Sequence, residues 1–236
     1  MGTITSARAL ISSARRITTF SGAGLSAESG IRTFRDALTG HWSRYDPAEL
    51  ASPEGFARNP ELVIEWYNDR RRTLASSTPN AAHRALADRV ELTHITQNVD
   101  HLLERAGAEQ VLHLHGRIDS DRCHHSCGYS EAIDISDPPG LRPCPQCGAP
   151  LRPTVVWFGE PLPEDAWNSS IEAVEAADLL IVIGTSGVVF PAAGLIDHAR
   201  HGGAAVIVVN AEPIRTISDI TIIGPAAEIV PQLLSA

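Results

Sequence analysis

The residues from Ser21 to Arg35, SGAGLSAESGIRTFR, have the types and spacing to cradle a phosphate. Glycines at the end of a strand let the backbone turn tightly and come close to a ligand. Small side chains at Ala23, Ser26 and Ala27 leave room beside it. A helix starting there would offer its free N–H groups and its dipole to phosphate oxygens. The pattern departs from the usual dinucleotide fingerprint, G-x-G-x-x-G with an acid about 20 residues on. Gly22 and Gly24 are followed only by Gly30, and no acid at that offset sits on an evident second strand. A glycine turn without a ligand fits these residues as well.

The cysteines make a second group: Cys123-x3-Cys127 and Cys144-x2-Cys147 hold all four in the chain. Two close pairs separated by a loop fit a structural zinc ion, with four thiolates closing a tetrahedron. Pro143, Pro145, Gly128 and Gly148 supply the tight turns of such knuckles. Two disulfides are the alternative, disfavoured in a reducing compartment. His124 and His125 are further candidate ligands, but four thiolates already complete the shell. A closed shell leaves no position for activating water.

The elements that must position these groups alternate between apolar strands and helical patterns. Strands are expected at Ile17–Phe20, Leu92–Thr96, Val111–Gly116, Thr154–Phe158, Leu179–Ile183 and Ala204–Val209. Helices are expected over Ser6–Arg16, over Glu61–Leu74 within an insertion from Pro47 to Leu74, after an Asn80 N-cap, and over Leu102–Ala106 with Gly107 as the stop. Continuous apolar strands separated by helices imply an α/β fold, a Rossmann-like parallel sheet with helices on both faces. Ligands bind at the carboxyl ends of strands in such sheets. Those ends carry Ser21–Arg35, Gln97–Asp100, His115, Gly184–Ser186 and Asn210–Glu212, so the sheet gathers them into one crevice.

With 236 residues the chain can bury a full core, as one large domain or a core with a small insertion. No apolar stretch approaches the roughly 20 residues needed to span a bilayer, and no secretory signal is evident, so a cytoplasmic location without membrane attachment is expected. All 19 basic residues are arginine. The lack of lysine excludes Schiff-base chemistry and a Walker-type lysine. A net charge of -9 argues against a nucleic-acid footprint and suits basic peptide partners.

GAGLSAESGIRTFR, TQNVD, HLHG, the two cysteine pairs, FGE, GTS and NAE, in that order, resemble the sirtuin family of NAD-dependent protein deacylases. The likeness runs from about Ile17 to Pro231, and SAESGIRTFR, VVWFGE and GTSGVVFPAAG look most like CobB-type bacterial and mitochondrial class III members. It implies a Rossmann-like NAD-binding domain (1–40, 79–118 and 152–236) with a small domain made of a helical insertion (41–78) and a zinc ribbon (119–151). It also implies nicotinamide–ribose cleavage coupled to deacylation: the acyl oxygen attacks C1′, nicotinamide leaves, and a general base activates a ribose hydroxyl. Nicotinamide, free lysine and O-acyl-ADP-ribose are the products. The co-substrate is NAD, the metal is one structural zinc ion, and the partner is an acylated lysine in an extended peptide, with the enzyme a monomer.

The resemblance places the base directly before Gly116, at His115; strand position alone does not choose between His115 and His113, which share a face. Imidazole titrates near working pH. Gly22, Ala23 and Gly24 would pass the pyrophosphate beside Ser26, and Arg35 would hold phosphate and ribose oxygens. Phe34 would cover the nicotinamide pocket, Asp100 would bind the carboxamide, Asn98 would orient a ribose hydroxyl or water, and Gln97 would hold the nearby ribose. Gly184, Thr185, Ser186, Asn210 and Glu212 would hold the adenosine half, with Ala226 against adenine. Val156, Phe158, Gly159 and Glu160 on one side and Gly187 and Val188 on the other would sandwich the peptide by strand addition.

Tyr67 and Arg70 share a helix face at i, i+3. In class III sirtuins such a pair lies in the acyl pocket, where a phenol and a guanidinium suit the carboxylate of a succinyl or malonyl group, and Ala27 leaves it space. A surface arginine cluster (Arg70, Arg71, Arg72) paired with Glu65 and Asp69 is the plainer alternative. The function expected is therefore a lysine deacylase preferring succinyl or malonyl over acetyl. The alternatives are a deacetylase with little such preference, a mono-ADP-ribosyltransferase, a dehydrogenase, or a zinc-ribbon binding module.

Overall fold

The computed structural model describes residues 2–31, 43–214 and 216–235. Long apolar runs in the sequence become strands buried on both faces. The central sheet comprises β1 (Ile17–Ser21), β2 (Thr93–Thr96) and β3 (Val111–His113), then, after the strands β4 to β6 described below, β7 (Leu179–Ile183), β8 (Ala205–Asn210) and β9 (Ile220–Ile223). All pairings are parallel and the order is β3-β2-β1-β7-β8-β9. Alternate residues of β7 face opposite cores: Leu179, Ile181 and Ile183 on one side, Leu180 and Val182 on the other. The first core is covered by α1 (Thr3–Ser13), α5 (Ala81–Ala87), α6 (Leu102–Ala106) and α9 (Ala226–Leu234), the second by α7 (Glu164–Glu175) and α8 (Leu195–His201). This is the doubly covered α/β sheet expected.

The buried polar side chains of β1 are all satisfied. Thr18 donates to the Ala173 carbonyl at 3.1 Å, the Thr19 hydroxyl meets His94 Nδ1 at 2.9 Å, and Ser21 donates to Thr96 at 2.9 Å. From β1 the chain builds outward through β2 and β3, then returns to β7 on the other flank. The switch in direction therefore falls between β1 and β7, where such sheets bind ligands.

A second, antiparallel sheet, β5-β4-β6, is built from β4 (Gly116–Cys123), β5 (Ser130–Ala132) and β6 (Leu151–Val155). Against it pack α2 (Pro47–Leu50), α3 (Pro53–Arg58) and α4 (Pro60–Ser76), through Phe56, Val63, Trp66, Tyr67, Ile118 and Trp157. The helical insertion and the cysteine-bearing segment thus share one core.

Four local expectations change. The strand expected over Thr154–Phe158 lies earlier, over Leu151–Val155, and pairs with β4 instead of joining the parallel sheet. The strand expected over Val111–Gly116 ends at His113, because Gly116 adopts φ 71° and starts β4. The first helix spans Thr3–Ser13, not Ser6–Arg16: the amides of Arg15 and Arg16 both donate to Asp178 Oδ2 at 2.9 Å, drawing the chain out toward β1. The glycine loop opens no long helix, only one-turn 3-10 helices at Ala23–Leu25 and Ala27–Ser29.

Candidate active site

The loop after β1 crosses the end of β7 at very short range. The Gly22 amide donates to the Ile183 carbonyl at 2.9 Å and the Gly24 amide to the Gly184 carbonyl at 2.8 Å. A Cβ on Gly24 would sit 2.6 Å from Gly184 Cα, and one on Gly22 2.8 Å from the Gly184 oxygen. These glycines are required by backbone meeting backbone. Thr185 is tied into the same junction, accepting from Gln97 Nε2 at 2.9 Å.

Beyond β2, Asn98 and Asp100 enter a network centred on the buried hydroxyl of Ser26. Asn98 Nδ2 donates to the Gly22 carbonyl at 3.1 Å and to Ser26 Oγ at 3.2 Å, and Ser26 donates to Asp100 Oδ2 at 2.9 Å. The fourth member, His83, was not anticipated. Its Nδ1 accepts the Asn80 amide at 3.3 Å, so the ring proton is on Nε2 and is donated to Ser26 Oγ at 3.3 Å. Burial pushes His83 down to about 4, which keeps it neutral. One donated and two accepted bonds saturate the hydroxyl. The signal in the sequence was Asn80 followed three residues later by His83, a capping box with histidine in the N3 position. Both Asn98 side-chain amide protons are used on the protein, and its side-chain oxygen Oδ1 has no partner among the described residues. Burial also raises the Asp100 carboxyl above its ordinary value, against the bonds from Leu102 and Ser26.

Two histidines flank this network, and their bonding separates them. His113 faces the Asn98 carbonyl through Nδ1 at 3.0 Å and Glu104 through Nε2 at 2.8 Å. Both nitrogens are engaged by protein oxygens, so neither is left open to a substrate. His115 lies in the turn between β3 and β4, not on a strand. Its Nδ1 meets the Gln97 carbonyl at 3.0 Å, and a carbonyl only accepts, so Nδ1 carries the proton and Nε2 the lone pair. Nε2 has no partner among the described residues. Desolvation lowers the pKa of His115, partly opposed by the Gln97 bond. A neutral imidazole with an open Nε2 has the lone pair that general-base chemistry requires.

On α4, Tyr67 and Arg70 share a face. The phenol oxygen accepts the indole N–H of Trp157 at 2.8 Å, and burial pushes the Tyr67 phenol up to about 12. Arg70 lies over the Trp66 ring at 4.9 Å, its Nε is buried without an acceptor, and among the described residues it has no ion pair. Its neighbours differ: Arg71 is buried against Asp121 at 2.5 Å, and Arg72 pairs on the surface with Asp69 at 3.1 Å. The run of three arginines is therefore not one surface cluster.

Around the FGE segment, the amide of Val156 donates to the His115 carbonyl at 2.9 Å, and Phe158 is 57% exposed. Val188, beyond β7, is 58% exposed, and Gly159 and Gly187 both have positive φ. The Glu160 carboxylate is engaged internally, accepting from Arg122 at 3.1 Å, from Arg152, and from the Trp157 amide at 2.8 Å. Asn210, at the end of β8, donates to the Glu212 carbonyl at 2.7 Å; Ser186 is exposed, and Ala226 starts α9, buried in the first core. Phe34 and Arg35 lie outside the described residues.

The four cysteines converge, with all their Sγ atoms within 4.8 Å of one another. Cys123 and Cys147 are 3.4 Å apart and Cys127 and Cys144 3.5 Å. A tetrahedron with Zn–S bonds of about 2.3 Å places sulphurs about 3.8 Å apart, so the set fits a zinc ion with a closed shell. Among the described residues, no helix is long and apolar enough to cross a membrane.

Residues 22–191 match the Sir2 family model. The chain is 49% identical over 238 residues to a Pseudomonas aeruginosa protein named NAD-dependent protein deacylase 1, covering 95% of each. A crystal structure of a Sir2 homologue–NAD complex is similar with a TM-score of 0.91 and 43% identity, covering 98% of this chain and 92% of that one. Sir2Af2 bound to a myristoylated histone peptide has a TM-score of 0.79 and 34% identity, covering 98% of this chain and 94% of that one. On this likeness in sequence and structure, the chain belongs to the Sir2 family.

Proposed function

We propose that the chain is an NAD-dependent protein-lysine deacylase with His115 as general base, preferring succinyl and malonyl groups over acetyl. The observation that carries the reading is the bonding of His115: Nδ1 fixed on the Gln97 carbonyl at 3.0 Å, with Nε2 open among the described residues. Relatives named NAD-dependent protein deacylase and the NAD and acyl-peptide complexes of Sir2 structures support the same chemistry.

The donor set fits NAD. Among the described residues Asn98 keeps an open side-chain oxygen, Asp100 has acceptor capacity beyond Ser26 and Leu102, and Thr185, exposed Ser186, Asn210 and Glu212 line the strand ends on the other side. Bound NAD supplies an electrophilic ribose carbon and a hydroxyl that receives the acyl group. Asp100 orients the carboxamide, and Gln97, steadied by Thr185, holds the adjoining ribose. Asn98 presents its side-chain oxygen to a ribose hydroxyl or a water. His115 takes the hydroxyl proton on Nε2, and its imidazolium is then stabilised by the Gln97 carbonyl. Gly22, Ala23, Gly24 and Ser26 shape the pyrophosphate side, with Arg35 assigned there and Phe34 to the nicotinamide pocket by resemblance. Ala226 borders the adenine. The four cysteines hold zinc, which keeps β4, and with it the turn bearing His115, in place.

The peptide lies extended between Val156, Phe158 and Gly159 on one side and Gly187 and Val188 on the other, with Glu160 shaping its own segment from inside rather than touching the substrate. The acyl preference rests on Arg70, a desolvated guanidinium without a carboxylate partner among the described residues, beside Tyr67 on α4. A substrate carboxylate supplies that partner, and Ala27 leaves space for it.

Matched peptides bearing succinyl-, malonyl- or acetyl-lysine test the preference. Succinyl and malonyl substrates are expected to have the higher kcat/KM. Loss of a hydrogen bond to a charged group predicts that Arg70→Met raises the succinyl KM about tenfold or more, with acetyl nearly unchanged. Equal or reversed efficiencies contradict the preference. Label from NAD appearing on protein instead of on an acyl group would favour mono-ADP-ribosyl transfer.

A further inference from the structure

The contact between Trp157 and Tyr67 joins the FGE segment to α4 across 90 residues of sequence. Both side chains are 2% exposed, so no water competes for the bond. An indole N–H only donates, whereas a phenol oxygen accepts on its lone pairs and donates a single proton. The 2.8 Å bond therefore makes Tyr67 the acceptor toward Trp157, and the phenol proton must point elsewhere. Among the described residues it meets no acceptor. One turn further on, the Arg70 Nε is buried and equally without one. Two adjacent donors on one helix face are thus left for a single outside acceptor.

Trp157 is held on several sides. The Arg152 guanidinium stacks 3.8 Å over its ring, and Phe56 packs at 5.3 Å. Glu160 binds both the Trp157 amide, at 2.8 Å, and Arg152. The indole cannot swing away from Tyr67 without breaking this set. With a ring of similar shape but no N–H, the phenol oxygen would be open to the guanidinium of Arg70. Arg70 would then satisfy itself on Tyr67 rather than on a ligand.

We propose that Trp157 is a specificity-determining positioning residue: its indole N–H occupies the Tyr67 oxygen, which commits the phenol proton and the Arg70 guanidinium to an acyl chain ending in a carboxylate. The inference rests on α4 forming the acyl pocket, and it adds a residue that touches no substrate.

The test compares wild type, Trp157→Phe, Trp157→3-benzothienylalanine (the indole shape with sulphur in place of N–H), Tyr67→Phe and the Trp157→Phe/Tyr67→Phe double variant, on succinyl- and acetyl-lysine peptides. Loss of one oriented hydrogen bond predicts an increase of about five- to tenfold in the succinyl KM for both Trp157 variants. Their succinyl kcat and their acetyl KM should stay within about twofold of wild type. Acetyl turnover of the same preparations reports folding, and if the phenylalanine variant does not fold, the benzothienyl variant decides. In the Tyr67→Phe background, Trp157→Phe should add nothing to the succinyl KM, because no phenol remains to orient. Equal losses on both peptides, or additive losses in the double variant, would overturn the proposal. A wild-type succinyl preference that survives in both Trp157 variants defeats this inference alone; a wild type with no preference defeats it together with the acyl-pocket reading.

Discussion

Ser26 Oγ lies 3.3 Å from His83 Nε2, and through that contact a helix cap 57 residues away fixes the hydroxyl that holds Asn98 and Asp100. The hydroxyl has no bonding capacity left over, so its removal takes a bond from three partners at once, two of them, His83 and Asp100, buried. Ser26→Ala should cost about 1–3 kcal/mol of stability for the unsatisfied groups and lower kcat/KM further by freeing the Asn98 amide. Chemical denaturation and steady-state kinetics measure the two effects. A variant with wild-type kinetics would show that the network does not position Asn98.

His115→Ala should reduce deacylation by about 10²–10⁴-fold while leaving NAD binding intact. Burial lowers the pKa of His115, so the acidic limb of kcat/KM against pH should have its midpoint below the usual 6.5 of histidine. The base works only when neutral, and a lowered pKa extends its neutral range toward acid. An acidic limb centred above 6.5 would remove His115 from the role.

His83 and His94 are both buried and both pushed down to about 4. Well above pH 6.5 they are neutral in the folded and unfolded chain alike and do not make stability depend on pH. As pH falls from 6.5 toward 4 the unfolded chain takes up protons that the folded one refuses, so stability is lost across that window, by up to about 3 kcal/mol per histidine. Melting temperatures between pH 7 and pH 4 should fall, and less steeply in His94→Asn. An equal slope in that variant would assign the loss to other groups.

Zinc removal should unravel the β5-β4-β6 sheet, because it takes away the cross-link that ties Cys123 and Cys127 to Cys144 and Cys147. Since β4 begins at Gly116 and Val156 bonds the His115 carbonyl at 2.9 Å, the base should lose its placement with it. Metal analysis should give one zinc per chain, and chelation should abolish turnover. Full activity in metal-free protein would separate the ribbon from the site.

The parallel sheet was legible because burial on both faces writes continuous apolar runs, as in β7 and β8. Leu102–Ala106 with its Gly107 stop was readable from local signals and matches α6. Pairing partners were less so: the apolar Thr154–Phe158 run looks like a sheet strand, and only its partner β4 shows that the strand ends at Val155. The choice between His113 and His115 could not be read from strand alternation. It depends on Glu104 and on two backbone carbonyls brought in by folding. His83 was invisible for the same reason, since its partner Ser26 belongs to another element. The sequence reads the glycines as a tight turn approaching a ligand, whereas the nearest neighbour of Gly22 and Gly24 is the backbone of Gly184.

The most direct measurement uses a succinyl-lysine peptide carrying ¹⁸O in the amide carbonyl, incubated with NAD and analysed by mass spectrometry. The account predicts equal amounts of nicotinamide, free-lysine peptide and O-succinyl-ADP-ribose, with the heavy oxygen retained on the ribose. Free succinate carrying the label, with NAD unconsumed, would contradict it.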